Sequence, residues 1–278
     1  MCIRDRASGD PTNTQVILWT KITTEDPLIH PVIWEVSDDT SFKKIIASGF
    51  FEAKPFDDYT VKVDANIPIE FNARKIYYRF KSNGVLSEIG TTSTLPIQNP
   101  DKFNIAFCSC SNYPAGYFNA YKEMANDKEV DVVLHLGDYL YEYSSKGYAS
   151  SDAKKMGRVV NPSNEIVSLD DYRQRYATYR SDKDLQLLHR SKPMIAVWDD
   201  HEITNDTWKA GAQNHNKGEG LFEDRKDNAI KAYYEWMPIR ENKEKDKIWR
   251  NFSIGNLINL VMLDTSSFGR DKQLERNS

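Results

Sequence analysis

Short apolar stretches recur along residues 14–95, separated by turn residues, and no helical period interrupts them. Residues 59–63 (Tyr-Thr-Val-Lys-Val) alternate strictly between outward and inward positions, as a strand with one buried face does. The other strand candidates are residues 16–19, 31–36, 75–80 and 88–91, with an Asn-Gly turn signal at 83–84. Regularly spaced short strands predict a small β-sandwich, which we assign to residues 1–96.

The pattern changes after residue 102, where apolar runs alternate with segments of helical character. Residues 95–100 (Leu-Pro-Ile-Gln-Asn-Pro) have the composition of an interdomain linker. The core-strand candidates are residues 103–108, 130–136, 194–198 and 257–263, and the helix candidates are residues 117–126, 169–179, 184–189 and 221–234. Strands that alternate with helices predict an α/β layered domain, which we place at residues 101–278.

Each of the core-strand candidates ends in a polar cluster. The clusters are 110–112 (Cys-Ser-Asn), 137–141 (Gly-Asp-Tyr-Leu-Tyr), 199–202 (Asp-Asp-His-Glu) with Asn205, and 264–265 (Asp-Thr). Ligand sites of α/β sheets lie beyond the carboxyl ends of the strands, so we expect these clusters to meet. Several buried carboxylates raise each other's pKa. A pair of metal ions relieves that repulsion and suits the in-line displacements of phosphoryl transfer.

Three residues are candidates for a first ion. Asp138 is the predicted bridging carboxylate, because Gly137 allows backbone and metal to approach closely. Cys110 and Tyr141 would supply anionic ligands suited to a ferric ion, and phenolate ligation of iron is an established mode.

Three further residues complete the predicted chemistry. Asp200 and Asn205 offer hard oxygen ligands for a second ion, such as calcium or another divalent cation. His201 is predicted to bind metal or to donate a proton to the leaving alkoxide. We take His201 and Asp200 as catalytic candidates and Asn205 as a residue that also binds substrate.

Taken singly, these residues have structural explanations. Gly-Asp after a strand is often only a turn, a lone Cys110 is more often a small buried hydrophobe, and Tyr141 would suit an aromatic core. The run at 199–202 would suit a helix N-terminus, where acidic residues are favoured. The repetition of such clusters at several strand ends favours the functional interpretation.

Composition limits the classes of partner. The apolar fraction is 40% and the formal net charge is −4, and no basic run stands out, so nucleic-acid binding has no electrostatic support. No apolar run approaches the ~20 residues of a membrane helix, and we expect no membrane span. The cysteines are Cys2, Cys108 and Cys110, too few for a disulfide framework.

The motifs resemble those of the PhoD-like alkaline phosphatases and phosphodiesterases, over nearly the whole chain. The most specific segment is 198–202 (Trp-Asp-Asp-His-Glu) with Asn205. The other matching segments are 7–11 with 16–20, 107–110, 136–142, 171–176 with 179–180, 263–265 and 269–274.

The resemblance implies a fibronectin- or immunoglobulin-like N-terminal sandwich and a metallophosphatase domain of the α/β/β/α sandwich type, incomplete here. It implies a ferric ion plus Ca²⁺, with Cys110 and Tyr141 in iron-ligand places, Asp138 bridging, and Asn205 as a second-metal or phosphate ligand. Asp200 carries over as a ligand or as a residue that orients one. The implied substrates are phosphate mono- or diesters, small or polymeric, cleaved by a monomer in the periplasm or outside the cell.

The sequence departs from the family pattern in two places. The family usually has Arg where Ser266 stands; because Arg is the natural bidentate phosphate clamp, Arg270 is the candidate replacement. Family members also continue to a late Gly-Asp-x-His segment, so we expect this 278-residue chain to be a fragment that binds metal poorly and is nearly inactive. The first six residues carry no signal peptide and we expect them not to be native.

Two other functions remain open at this level. One is a non-catalytic binding or interaction module with a degenerate metallophosphatase domain, which the Ser266 substitution favours. The other is a related dinuclear hydrolase that acts on a different ester.

Overall fold

The fold is described from a computed structural model, which describes residues 1–242, 244 and 247–272. The first part contains β1 (Cys2–Gly9), β2 (Gln15–Thr23), β3 (His30–Ser37), β4 (Ile45–Ala53), β5 (Thr60–Asn66), β6 (Ile76–Ser82), β7 (Val85–Leu86) and β8 (Gly90–Thr92). The second part contains β9 (Ile105–Cys108), α1 (Asn119–Asn126), β10 (Val132–His135), α2 (Ala153–Met156), α3 (Leu169–Tyr179), α4 (Lys183–Ser191), β11 (Met194–Ala196), β12 (Thr207–Trp208), β13 (Gly211–Ala212), α5 (Phe222–Trp236), β14 (Arg250–Ile254) and β15 (Ile258–Met262).

The first part forms two groups of strands whose apolar faces share one core. Strands β4, β3, β6 and β7 form one sheet, with β8 also paired to β6, and β5, β2 and β1 belong to another. On β6, Ile76, Tyr78 and Phe80 are fully buried at every second position, as the period of a strand requires. Val16 and Leu18 of β2 enter the same core from the opposite sheet.

Strand β2 is buried on both faces, because a second core lies behind it. Leu18 packs into the core of the first part, whereas Trp19 packs into the core of the second. The Trp19 indole N–H donates to the carbonyl of Glu235, at a distance of 2.7 Å. A strand covered on both faces becomes a continuous apolar run, which accounts for residues 16–19.

One six-stranded sheet, in the order β5-β2-β1-β11-β10-β9, connects the two parts. β9, β10 and β11 are parallel to one another, and β1 joins them in parallel at Gly9 and Met194. The Asp10 N–H donates to the Met194 carbonyl over 3.0 Å. The predicted domain boundary lies near residues 96–101. Backbone hydrogen bonds nevertheless connect the parts of the chain before and after it.

Helix α3 begins and ends as the sequence predicts, at Leu169 and Tyr179. Ser168 and Asp171 form a capping box at its start. In such a box the side chain of each residue accepts a hydrogen bond from the backbone N–H of the other. Tyr172, Tyr176 and Tyr179 lie on one face and are fully buried. None of the helices in the described part of the chain is long and apolar enough to span a membrane.

A strand is confirmed at residues 257–263, but in the described part of the chain it lies apart from the sheet that holds the other three core strands. The segment forms β15, which among the described residues pairs with β14 in an antiparallel hairpin. Ile258 and Met262 turn inward while Val261 is 48% exposed, the alternation of a strand with one buried face. A short apolar run does not distinguish a strand with one buried face from a central strand. Strand β4 is not among the strands predicted from the sequence.

Candidate metal centre

The loops that follow β9 and β10 meet because these strands are parallel and neighbouring. The Cys110 N–H donates to the Gly137 carbonyl over 3.1 Å, and the Ser111 N–H donates to the Asp138 carbonyl over 2.8 Å. Cys110 and Asp138 both have left-handed backbones, with φ of 59° and 54°. Such strain in non-glycine residues persists only where the surroundings fix it, and it concentrates at functional sites.

Gly137 is required by the close approach of the third strand end. Its φ is 106°, and a Cβ atom there would lie 2.5 Å from the backbone nitrogen of Asp199. Only glycine has neither the steric penalty nor the side chain. The loop after β10 therefore lies directly against the loop after β11.

Asp138, Asp200 and His201 converge at this point, each with a ligand-type atom within 4.8 Å of the others. The Tyr141 hydroxyl donates to Asp138 Oδ2 over 3.1 Å, and the rings of Tyr141 and His201 have centroids 4.1 Å apart. Asp138 Oδ1 is buried without a hydrogen-bond partner among the described residues. A buried carboxylate oxygen with no donor is costly, so this arrangement fits a bound cation.

The charges of the cluster depend on one another. Burial and the neighbouring Asp200 and Asp199 carboxylates raise the pKa of Asp138 to about 6, although His201 opposes the shift. Burial lowers the pKa of His201, but its hydrogen bond to Glu142 and the surrounding carboxylates outweigh burial and raise the value to about 9. A cation bound here would add positive charge beside these carboxylates and favour their ionised form.

Glu142 holds the imidazole of His201 in place. Its Oε2 lies 2.7 Å from His201 Nδ1, and its Oε1 accepts from the side chain of Asn214 over 2.7 Å and from the Asn205 N–H over 2.8 Å. Burial of Glu142 would raise its pKa, but these donors outweigh burial and lower it. Because Glu142 engages Nδ1, Nε2 is the nitrogen left for a metal or a substrate.

Glu202 holds the backbone of the neighbouring loops in place. Its carboxylate accepts from the N–H groups of Asp138, Tyr139 and Asp199, over 3.0, 2.6 and 2.9 Å. Burial and the charge of Asp138 raise the pKa of Glu202 to about 8, while these backbone donors oppose the shift. One buried side chain thus fixes two of the converging loops.

Helix α3 secures the segment after Asp138. The Tyr179 hydroxyl accepts from the Tyr141 N–H over 3.1 Å. The guanidinium of Arg175 donates to the carbonyls of Tyr141 and Tyr143. The Tyr- and Arg-rich helix α3 therefore supports the site, although the cluster of Asp138, Asp200 and His201 contains none of its residues.

The remaining candidates stand at its edges. Partial burial raises the pKa of the Cys110 thiol, and Asp138 and Tyr141 are among the groups that interact with it. The side-chain amide of Asn205 donates to Gln213 Oε1 over 2.9 Å and to Asp206. Thus Asn205 reaches the network through its backbone, and its side chain is directed to its own loop.

Ser266 and its candidate replacement Arg270 both form hydrogen bonds within the chain. Arg270 Nη2 donates to the Thr207 carbonyl over 2.6 Å. The Ser266 hydroxyl donates to Asp199, and Asp264 accepts from the Trp198 indole over 2.8 Å. The last two residues of the motif at 269–274 lie outside the described residues.

Sequence reasoning missed the supporting roles of Glu142 and Glu202. Each lies in a cluster that the sequence did single out, directly after Tyr141 and His201. The available signal was an acidic residue within an otherwise buried segment, because buried carboxylates are rare unless they are paired.

Comparisons with known proteins agree on one family. The profile of the PhoD-like phosphatases matches residues 105–278, and the profile of their N-terminal domain matches residues 6–96. Alkaline phosphatase D of Bacillus subtilis (strain 168) is 41% identical over 284 residues, which cover 96% of this chain and 47% of that protein. A solved structure, described as the structure of PhoD, superposes with a TM-score of 0.87 at 37% identity and covers 98% of this chain and 53% of that chain. The chain spans about half the length of these relatives.

Proposed function

Because this chain belongs to the PhoD-like phosphatase family, we propose that the protein containing it hydrolyses phosphate esters with two metal ions bound beyond β9, β10 and β11. The observation that carries the proposal is the convergence of Asp138, Asp200 and His201 around a buried carboxylate oxygen without a donor. A non-catalytic module would have no need for this arrangement, and the family match does not favour one.

The proposed architecture is a fibronectin- or immunoglobulin-like sandwich at residues 1–96, followed by a metallophosphatase domain from residue 101. The shared core of the first two sheets supports the sandwich. The parallel strands β9 to β11 would form one sheet of an α/β/β/α arrangement.

Cys110, Asp138 and Tyr141 would hold the ferric ion, and Asp138, Asp200 and Asn205 would hold Ca²⁺ or another divalent cation. The donor types support this division, since thiolate and phenolate suit iron and carboxylate and amide oxygens suit calcium. When bound, the two ions supply Lewis-acid stabilisation and an activated water.

The side chains of this chain have defined tasks in the hydrolysis. The oxygen of water forms a bond to phosphorus and the P–O bond to the alcohol breaks. A monoester gives the alcohol and inorganic phosphate, and a diester gives the alcohol and a phosphate monoester. His201, oriented by Glu142 at Nδ1, carries a proton at Nε2 and gives it to the leaving alkoxide. Asp200 would orient the reacting groups. Asn205 and Arg270 would exchange their hydrogen bonds to Gln213 and to the Thr207 carbonyl for contacts with the phosphate oxygens.

Substrates in this proposal are mono- or diesters of phosphate, small or polymeric. The net charge of −4 gives no support for nucleic-acid binding. We further propose a monomer that acts in the periplasm or outside the cell, as the family resemblance implies.

The test uses the protein encoded by the natural reading frame that contains this chain. Purified protein should contain iron, absorb visible light through phenolate-to-iron charge transfer, and release p-nitrophenol from p-nitrophenyl phosphate. Removal of metal with a chelator should abolish turnover, and ferric and calcium ions should restore it. Full turnover by a colourless, metal-free protein would refute the ligand assignment, and metal binding without turnover on any phosphate ester would refute the activity.

A further inference from the structure

A groove of about 300 Å³ opens beside Cys110 and Ser111, in the loop whose backbone binds the loop of Asp138. We call it the Tyr117 groove; its walls include Cys110, Ser111, Ala115, Gly116, Tyr117 and Phe118. No charged side chain is among the residues that line it in the described structure. Sites for small organic groups have this character, mostly apolar and aromatic with a few polar groups.

The aromatic wall of the groove is held from behind. Phe118 is buried, whereas Tyr117 is 61% exposed and presents its ring to solvent. The guanidinium carbon of Arg158 lies 4.6 Å from the centroid of the Phe118 ring and 5.7 Å from that of Tyr117. Arg158 is itself fixed by an ion pair with Asp182 at 2.5 Å. The wall therefore exists before any ligand arrives.

The groove and the cluster share one wall. Cys110 lines the groove and interacts with Asp138 and Tyr141, and the Ser111 N–H binds the Asp138 carbonyl over 2.8 Å. A phosphate held at the cluster would direct one of its substituents over Cys110 into this space. The cluster is rich in charged groups and the groove has none, so an uncharged substituent suits it.

We propose that the Tyr117 groove binds the uncharged aryl or alkyl group of the phosphate ester, and that the enzyme selects esters of apolar alcohols and phenols. This inference rests on the proposed function, because it adds a specificity pocket to the same centre. Tyr117 contributes an exposed ring face for stacking, and Gly116 leaves the volume for the bound group.

Gly116 offers a direct test. Its backbone is extended, with φ 174°, and a Cβ atom there would meet no other atom within 4 Å. Gly116→Leu therefore adds a bulky side chain to the lining of the groove without strain. The matched control is Ala177→Leu, which adds a leucine at an exposed position of α3.

The measurement is kcat/KM by phosphate release, with phenyl phosphate and methyl phosphate as substrates and the protein from the natural reading frame. The ratio of the two values cancels effects common to both substrates. In Gly116→Leu this ratio should fall at least about tenfold, the scale on which apolar pockets discriminate. Tyr117→Ala, which adds no volume, should lower it in the same direction, and Ala177→Leu should leave both rates unchanged.

An unchanged ratio in Gly116→Leu and Tyr117→Ala would overturn the groove while leaving the phosphoesterase intact. If the wild type hydrolyses neither substrate, calorimetry with phenylphosphonate and methylphosphonate decides the groove, whereas the proposed function fails only if no phosphate ester is turned over. Tighter binding of phenylphosphonate that Gly116→Leu abolishes would support the groove, and equal binding of the two phosphonates would overturn it.

Discussion

Two strands of the six-stranded sheet flank β11 on either side and lead into the same dipeptide. β1 leads to Gly9-Asp10 and β10 leads to Gly137-Asp138. Both aspartates are buried, and both have positive φ, 42° at Asp10 and 54° at Asp138. Sequence, position in the sheet and backbone conformation are alike, so the difference between them lies in their partners.

The positive charge that compensates the Asp10 carboxylate comes from the chain itself. The N–H of Arg240 donates to Oδ2 over 2.7 Å, and the guanidinium of Arg250 lies 3.0 Å from the same oxygen. Asp138 faces Asp199 and Asp200 instead, and its Oδ1 has no protein donor among the described residues. Thus a Gly-Asp turn is structural where arginines reach it and becomes a metal-ligand candidate where they do not.

The largest expected effect comes from removing the carboxylate that lacks a partner. Asp138→Asn should lower kcat/KM at least about 1000-fold, because stabilisation by a bound ion is worth several kcal/mol. The melting temperature should not fall, since the substitution removes a charge next to Asp199 and Asp200. Phosphate release measures kcat/KM, and calorimetric titration measures metal uptake. Normal metal uptake by Asp138→Asn would contradict the assignment.

Asp10→Ala should reverse this pattern. It leaves the Arg250 side chain, which is only 12% exposed, without its carboxylate, and breaking such a pair costs about 3 kcal/mol of unfolding free energy. Urea denaturation gives the free energy, and metal affinity of the folded protein should be retained. The control is Asp64→Ala, which removes the more exposed ion pair between Asp64 and Arg240 and should change stability by less than ~1 kcal/mol. Equal losses in the two variants would mean that burial of Asp10 is unimportant.

Glu142→Gln tests whether the cluster around Asp138 depends on an oriented imidazole. Glu142 orients the histidine that gives its proton to the leaving alkoxide, and removing such an orienting partner lowers activity about 10- to 100-fold. Phosphate release measures this loss in kcat. Glu165→Gln is the matched control, because Glu165 pairs with Arg225 at 2.9 Å. An unchanged kcat in Glu142→Gln would show that His201 needs no support.

The smallest effect is expected at Asn214, which gives Glu142 one of its donors over 2.7 Å. Asn214→Ala removes one hydrogen bond, worth about 1 kcal/mol. The kcat should fall roughly fivefold in the same assay. A loss as large as that of Glu142→Gln would mean that the loop carrying Asn214, and not the carboxylate, orients the histidine.

Much of the site could be predicted because parallel strands bring their ends together. The motif at 198–202 indicated the family, and the family matches confirm it. The Glu142–His201 contact joins residues 59 positions apart, and no periodicity reports such a distance. The sequence could not distinguish the structural Asp10 from the metal-ligand candidate Asp138 for the same reason, because the partners of Asp10, Arg240 and Arg250, lie far along the chain.

The fold divides in a similar way. Helix α3 was predicted to the residue, because a cap and an amphipathic face are local features. The pairing of β15 with β14 could not be predicted, because an apolar run does not specify its partner strand. The strand at residues 75–80 was found because one face is buried and the other is not.

The parallel pairing of Gly9 with Met194 limits how the chain can be divided. Expressed alone, the second part would present β11 as an open edge, and an unprotected edge strand invites intermolecular pairing and aggregation. The first part therefore protects an edge of the second. Folding must also bring together segments far apart in sequence, which slows it.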